Sequence, residues 1–430
     1  MANEARFIRA DRFQARWDFM DVDALLASDH RVRIVMSFVE SLDLSGLYDA
    51  IKSREGEPGR PPPDPAVLLA LWLYATIEGV GSARQLERLA QRDLAYRWIA
   101  GGVPLNYHGL ADFRVAHVEI LDRLLTESVT ALVAEGVVSL AEITIDGTKV
   151  RANAGRDSFK TDGKLARIEA AVEQRLAALK AEIESHPEAS SRRQRAAQER
   201  AAREVKERAE RARAALDKVR IEREQRAKRH AKDEAKKSEP KASLSDPQSR
   251  NMRFADGAFA PAYNAQIAAT TKEGIIVSVE MSDRRNDAGL AVPMVDDVVR
   301  RYGQAPEILL VDTHYATSED IAALAAHAVK VFAPLPTESD DVKPATLANR
   351  LRKREGEPES VKEWRSRMAT SEGQEVYRLR KLIERINANL KNHGFGFIPV
   401  RGVIKAKAVA LWHALANNLM AAHRLRTKTA

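Results

Sequence analysis

The sequence predicts a mixed α/β protein whose sheet is interrupted after its first strand, preceded by helices and split by a helical hairpin. Three observations predict it. Two short runs, residues 141–150 and 307–313, are rich in β-branched and apolar residues and carry an aspartate at Asp146 and Asp312, as strands leading to a sheet edge do. Between them, residues 155–241 repeat apolar residues at spacings of three and four over lengths that no strand reaches. Ahead of residue 141 the periodic segments have helical spacing.

The N-terminal segments justify themselves in turn. Leu25, Leu26, Val32, Val35, Phe38 and Leu42 fit short helices, and the Pro-rich run 54–63 cannot continue one and reads as a linker. Pro65 opens a helix through Leu68, Leu71, Trp72 and Ala75 that ends near Gly79. Ser82 and Gln85 have the spacing of a capping box and start another, with Leu86 and Leu89 inward. After a break at Gly101 and Gly102 a longer helix is expected over 110–135. These helices form either a DNA-reading unit or a cap packed on the sheet, and Arg84, Arg88, Arg92, Arg97 and Arg114 are the candidates for phosphate contact.

The strand at 141–150 runs Ile143, Thr144, Ile145, Asp146, and its Asp146-Gly147 pair reads as a turn that also lets the backbone approach a ligand closely. Two seams follow. Leu165, Ile168, Val172, Leu176 and Leu179 form one; Val205, Ala209, Ala212, Leu216 and Val219 form the other, with a break at Pro187 between them. An antiparallel helical hairpin is the economical shape. Residues 263–269 and 274–279 then read as two antiparallel strands, and Asp287 as the N-cap of a helix through Leu290, Val295 and Val299. The strand to Asp312, a helix over 318–328 and a strand at 329–334 follow; residues 338–371 read as a charged loop, and 403–425 as a final apolar helix on the core.

Charge is concentrated rather than spread. The whole chain of 430 residues has a formal charge of +8, yet residues 191–241 alone hold 19 Lys and Arg against 10 Asp and Glu. A polyanionic partner or another subunit is expected there, although basic residues interleaved with Glu also make an ordinary solvated face. The absence of cysteine excludes disulfides, thiolate zinc sites and a cysteine nucleophile, and no His-x3-His pair invites zinc. Glu4, Arg6, Arg9, Asp11 and Arg12 exclude a secretory leader, so a cytoplasmic protein with no membrane partner is expected.

Tyr377, Arg380, Glu384 and Lys391 are spaced to share one face of a single helix, placing an acid between two cations. If Asp146, Asp312 and Glu384 converge, three carboxylates need cationic balance, and oxygen-only ligands favour Mg²⁺ or Mn²⁺. The runs 145–154 and 310–315 and the Tyr-x2-Arg-x3-Glu-x6-Lys spacing resemble the DDE-type transposases of bacterial insertion sequences. That resemblance covers most of the chain, and its one departure is His314, where the family usually has glycine.

The resemblance implies an RNase H-like catalytic region (137–400) interrupted by the hairpin (155–241), an N-terminal helical, DNA-binding domain (1–136) and a C-terminal helix (401–430). It further implies two metal ions on Asp146, Asp312 and Glu384. With that site in place, Arg380 and Lys391 on the face of Glu384 can act as catalytic cations that neutralise phosphate charge, and Tyr377 either stacks on a DNA base or packs. The expected activity is cleavage at element ends and transfer of 3′-hydroxyls to target DNA by a homo-oligomeric, nucleoid-associated synaptic complex. A metal-dependent nuclease and an immobile coiled-coil DNA-binding relative are the alternatives.

Overall fold

Ile143 and Ile145, fully buried, fix the middle of the sheet, because the strand that carries them has neighbours on both sides. The computed structural model describes residues 21–51, 53, 61–185, 192–229, 239–335 and 356–429. Among the described residues seven helices come first: α1 (Arg31–Glu40), α2 (Ser45–Asp49), α3 (Pro65–Ile77), α4 (Ala83–Arg92), α5 (Leu94–Ala100), α6 (Tyr107–Ala116) and α7 (Val118–Ala134). Ser82 caps α4 by accepting from the Gln85 amide, as the capping-box spacing predicts. The single helix expected over 110–135 is two helices, because the chain leaves helical geometry at His117. Most of the Pro-rich run 54–63 and the break at Pro187 lie outside the described residues.

Strand β1 (Glu142–Arg151) leads into the short β2 (Phe159–Lys160), then α8 (Asp162–Ser185) and α9 (Arg192–Arg229), and back through β3 (Ala242–Ser243). Lys206 pairs with Glu173, Arg213 with Glu169 and Arg220 with Asp162, so α9 numbers rise as α8 numbers fall and the two helices are antiparallel. Leu165, Ala212, Leu216 and Ala242 make a small apolar cluster of their own, apart from the main core. The root is clasped by β2 pairing with β3 and by buried Arg250, which reaches both Glu222 of α9 and Asp283.

The rest of the sheet follows as β4 (Arg250–Arg253), β5 (Phe259–Thr270), β6 (Ile276–Ser282), β7 (Ile308–Leu310) and β8 (Lys330–Phe332), with α10 (Ala291–Tyr302) and α11 (Ser318–Ala326) between strands. The order is β4-β5-β1-β7-β8, with β6 also paired to β5. β5 runs antiparallel to β1, whereas β7 is parallel to β1 and β8 parallel to β7, giving a mixed sheet consistent with an RNase H-like core.

The chain ends in α12 (Glu359–Ala369), α13 (Ser371–Arg378), α14 (Lys381–Leu390) and α15 (Val403–Thr429). Helix α12 corrects the expectation of a loop for the end of the 338–371 stretch, of which residues 338–355 lie outside the described residues. Its Val361, Trp364 and Met368, three and four apart, are buried, and the Trp364 indole donates to the Ala333 carbonyl, a packing that its flanking charges concealed. Helix α15 joins the two halves: Trp412 packs near Trp72 of α3, while Asn418 donates to and accepts from the backbone of Ile276 in β6. Among the described residues no helix is long and apolar enough to cross a membrane.

Candidate active site

Asp146 stands in the middle of a strand and not at a turn, because β1 continues through Gly147 to Arg151. Its position is still an edge in one direction. Pairing with β7 stops at Thr144, while pairing with β5 continues past Asp146, opposite Ile267. Beyond Thr144 the flank of β1 is therefore free of β7, and α14 packs against the strand. Asp312 lies two residues beyond the last residue of β7, in a turn closed by the Tyr315 amide on the Asp312 carbonyl. Both acids thus lie past the carboxyl ends of the paired stretch of two parallel strands, where α/β sheets leave room for ligands.

Arg380 ties the site together. Its Nη2 is 2.8 Å from Asp146 Oδ1 and its Nη1 is 2.9 Å from Glu384 Oε1. The Arg380 side chain is only 11% exposed and that of Asp146 19%, whereas Glu384 is 61% exposed. Asn387 Nδ2 donates to the second oxygen of Asp146 at 2.7 Å. Burial pushes the Asp146 carboxyl up; Arg380 and Asn387 oppose this, the charges of Asp287 and Asp312 add to it, and the result is about 6. Burial pushes Asp312 up as well, but the amide and imidazole of His314 outweigh it and hold the carboxyl below its ordinary value. Burial lowers the Lys391 ammonium against the pull of Asp146. For Tyr377, burial raises the phenol while the neighbouring Arg380 opposes the rise.

The signature spacing does not lie on one uninterrupted helix. Tyr377 belongs to α13, Arg380 caps the start of α14, Glu384 is in the first turn of α14, and Lys391 begins a wider turn that ends near left-handed Gly394. At the junction the amides of Leu379, Arg380, Leu382 and Ile383 each bond three residues back, a tighter winding that brings Tyr377 and Arg380 onto the same side. His314 is also not packed into its loop: its side chain is 74% exposed and its Nδ1 lies 3.0 Å from Asp312 Oδ1.

Arg114 is removed from the phosphate candidates. It is buried over the Trp72 ring, donates to the Gly81 carbonyl, and burial pulls its guanidinium down to about 10. Arg84, Arg88 and Arg92 lie exposed on α4, with Arg84 stacked on Tyr107, and Arg97 is half-buried on α5.

One residue of the site carries a misleading local signal in the sequence. Asp287 does not cap a helix, since α10 starts at Ala291 without a side-chain cap. Its Oδ1 instead accepts from Asn264 and Gln266 at 2.7 and 2.9 Å, and Gln266 in turn accepts from the Tyr315 hydroxyl. A Cβ at position 147 would stand 2.3 Å from that oxygen, so Gly147 is what lets the Asp287 carboxylate lie against β1 beside Asp146. A close approach does occur at Gly147, but the approaching group is an acid of the same chain and not the expected ligand.

Among the described residues, no three acids or histidines stand in a ready metal-binding arrangement, and the positive charge between Asp146 and Glu384 belongs to Arg380. The donor chemistry nonetheless suits a hard divalent ion. All the acids offer oxygen, Asp146 is crowded by two further aspartates, and the buried Asn387 Oδ1 next to it has no hydrogen-bond partner.

A sheet that gathers aspartates past its parallel strand ends, with a guanidinium between acids, is the architecture of an enzyme acting on an anionic substrate. Residues 245–420 match the family model described as "Transposase DDE domain", and residues 20–116 match the "Transposase domain (DUF772)". The first match starts just after the hairpin and contains Asp312, Arg380, Glu384 and Lys391. No curated protein and no solved structure matches the chain. The chain belongs to the DDE-type transposases of insertion sequences. It is a DNA-binding enzyme of DNA transposition.

Proposed function

We propose that the cluster of acids around Asp146 cuts phosphodiester bonds at the ends of an insertion element and joins the freed 3′-hydroxyls to target DNA. Asp146, Asp312 and Glu384 would hold divalent magnesium or manganese, two ions by the family resemblance. The observation that carries this reading is that Asp146 and Glu384 converge on one buried guanidinium whose charge Asp312 also feels. When bound, the ions would supply a Lewis acid toward phosphoryl oxygens and make the attacking hydroxyl easier to deprotonate.

The remaining work falls to groups of the chain itself. Arg380 Nε is buried without a partner, so one donor of its planar fork is unspent and suits a non-bridging phosphate oxygen. Asn387 keeps the Asp146 carboxylate from rotating. Lys391, exposed beside the site, would gain charge stabilisation from an arriving phosphate, and Tyr377, beside Arg380, would rest against DNA. In this reading residues 1–136 bind duplex DNA through cations such as Arg84, Arg88, Arg92 and Arg97, and residues 137–400 catalyse. The 401–430 helix packs on the core, and a cytoplasmic homo-oligomer joins element ends to target.

Asp146→Asn, Asp312→Asn and Glu384→Gln should each abolish Mg²⁺-dependent strand cleavage while leaving duplex binding in gel-shift titrations nearly intact. Any one of them that cuts at near-native rate loses its place in the site.

A further inference from the structure

Helix α9 divides its cations by face. Toward α8, Lys206, Arg213 and Arg220 each meet an acid, Glu173, Glu169 or Asp162. Toward the sheet the pattern changes. There α9, the loop 245–250, the end of β6 and the start of α15 enclose a cleft of about 810 Å³. Its basic lining is Arg208, Arg211 and Lys218 from α9, Arg250 from β4, and Arg401 and Lys405 at the head of α15.

The acids of this cleft are already committed. Asp246 is buried and accepts from the Tyr263 hydroxyl and the Gly402 amide, and Asp283 pairs with Arg250. Arg211 pairs with Glu207 at the surface. Arg208, Lys218, Arg401 and Lys405 make no ion pair among the described residues, although Arg208 and Arg401 do donate to backbone carbonyls. Lys405 also stands in the first turn of α15, which holds no acid, so it adds positive charge to the positive end of a long helix dipole. Arg401 also feels the charge of the buried Asp246, but the exposed cations outnumber the acids of the cleft, a balance that attracts an extended anion.

We infer that this cleft between α9 and the head of α15 is a track for the DNA phosphate backbone, separate from the acids around Asp146. A chain of phosphates matches a row of unpaired cations drawn from two elements, and sequence-independent contact of this kind releases counterions. The inference rests on the chain's being a DNA transposase but not on which residues cut. It also gives the hairpin a reason to be clasped at its root, since Arg250 ties α9 to β4 and the β2–β3 pair closes the base of the hairpin.

The test is a salt titration of binding to a random-sequence DNA duplex by the full chain, comparing Lys218→Gln/Lys405→Gln with Arg175→Gln/Arg200→Gln. The control pair removes equal charge from exposed hairpin positions outside the cleft. The cleft pair should flatten the slope of log K against log salt by about 1.8, or about 0.9 for each phosphate that is no longer neutralised, and the control pair by much less. Equal slopes for the cleft pair and the unmodified chain would overturn the inference. So would equal flattening by both pairs, which would mean a diffuse field and not a track. A changed sedimentation coefficient with unchanged DNA slope would assign the cleft to another subunit, also against it.

Discussion

Arg380 shows why a residue cannot be judged by sequence spacing alone. Four positions before Glu384, it reads as half of a surface ion pair, for which about 1 kcal/mol or less is usual. In the structure it is buried and shared with Asp146, an acid 234 residues away. Lysine would keep the charge but could not bridge both carboxylates with one planar fork. Arg380→Lys is therefore expected to lower stability by about 1–2 kcal/mol, which chemical denaturation can read, because a partly buried pair is left imperfect. It should also slow single-turnover cleavage of prebound DNA by about tenfold or more, equivalent to about 1.4 kcal/mol of barrier. Native-rate cleavage with reduced stability would leave Arg380 a purely structural bridge. The acids themselves were legible because Asp146 and Asp312 follow apolar strand residues and Glu384 sits in a fixed pattern. Asp287 was not, because its partners Asn264 and Gln266 lie on another strand and local sequence offered only a cap.

At the scale of elements, the strands, the hairpin arms and the last helix could be read from periodicity, whereas their ends could not. Strand β1 continues through Asp146-Gly147 because β5 supplies ladder partners as far as Arg151, a tertiary fact that overrides a turn signal. Helix α12 was hidden because its three buried side chains are diluted by charge and face a strand, β8, that local sequence cannot place beside it. The continuity of β1 also sets a test. Gly147→Ala would drive a methyl into the Asp287 carboxylate, with Gln266 Nε2 only 2.7 Å from the same point. Moving Asp287 would break the hydrogen bonds it accepts from the side-chain amides of Asn264 and Gln266, and overpacking of this kind typically costs about 1–3 kcal/mol. Thermal unfolding of Gly147→Ala should show that loss, and the double variant Gly147→Ala/Asp287→Ala should recover part of it. A double variant no more stable than the single one would mean that the clash is not with Asp287.

Across the whole molecule, among the described residues, one apolar core runs from the N-terminal helices through the sheet to α15, and only the hairpin keeps a cluster of its own. The helix that unites the core also carries a liability. His413 on α15 is buried beside the Phe395 ring, and burial together with the charge of His393 pushes its imidazole down to about 3. Unfolded, the same group titrates near 6.5, so below that pH the unfolded chain binds a proton that the folded chain refuses. The folded pKa is depressed; the stability is therefore complete above pH 6.5 and is lost progressively as the pH falls toward about 3. Between about pH 7 and pH 5 the linkage amounts to about 2 kcal/mol from this one group. His413→Phe, which keeps an aromatic ring against Phe395 and cannot titrate, should lose about 2 kcal/mol less than the unmodified chain over that interval in urea unfolding. Parallel pH profiles for the two proteins would show that His413 is protonated in the folded state and that the seam between the helices and the sheet is open to water.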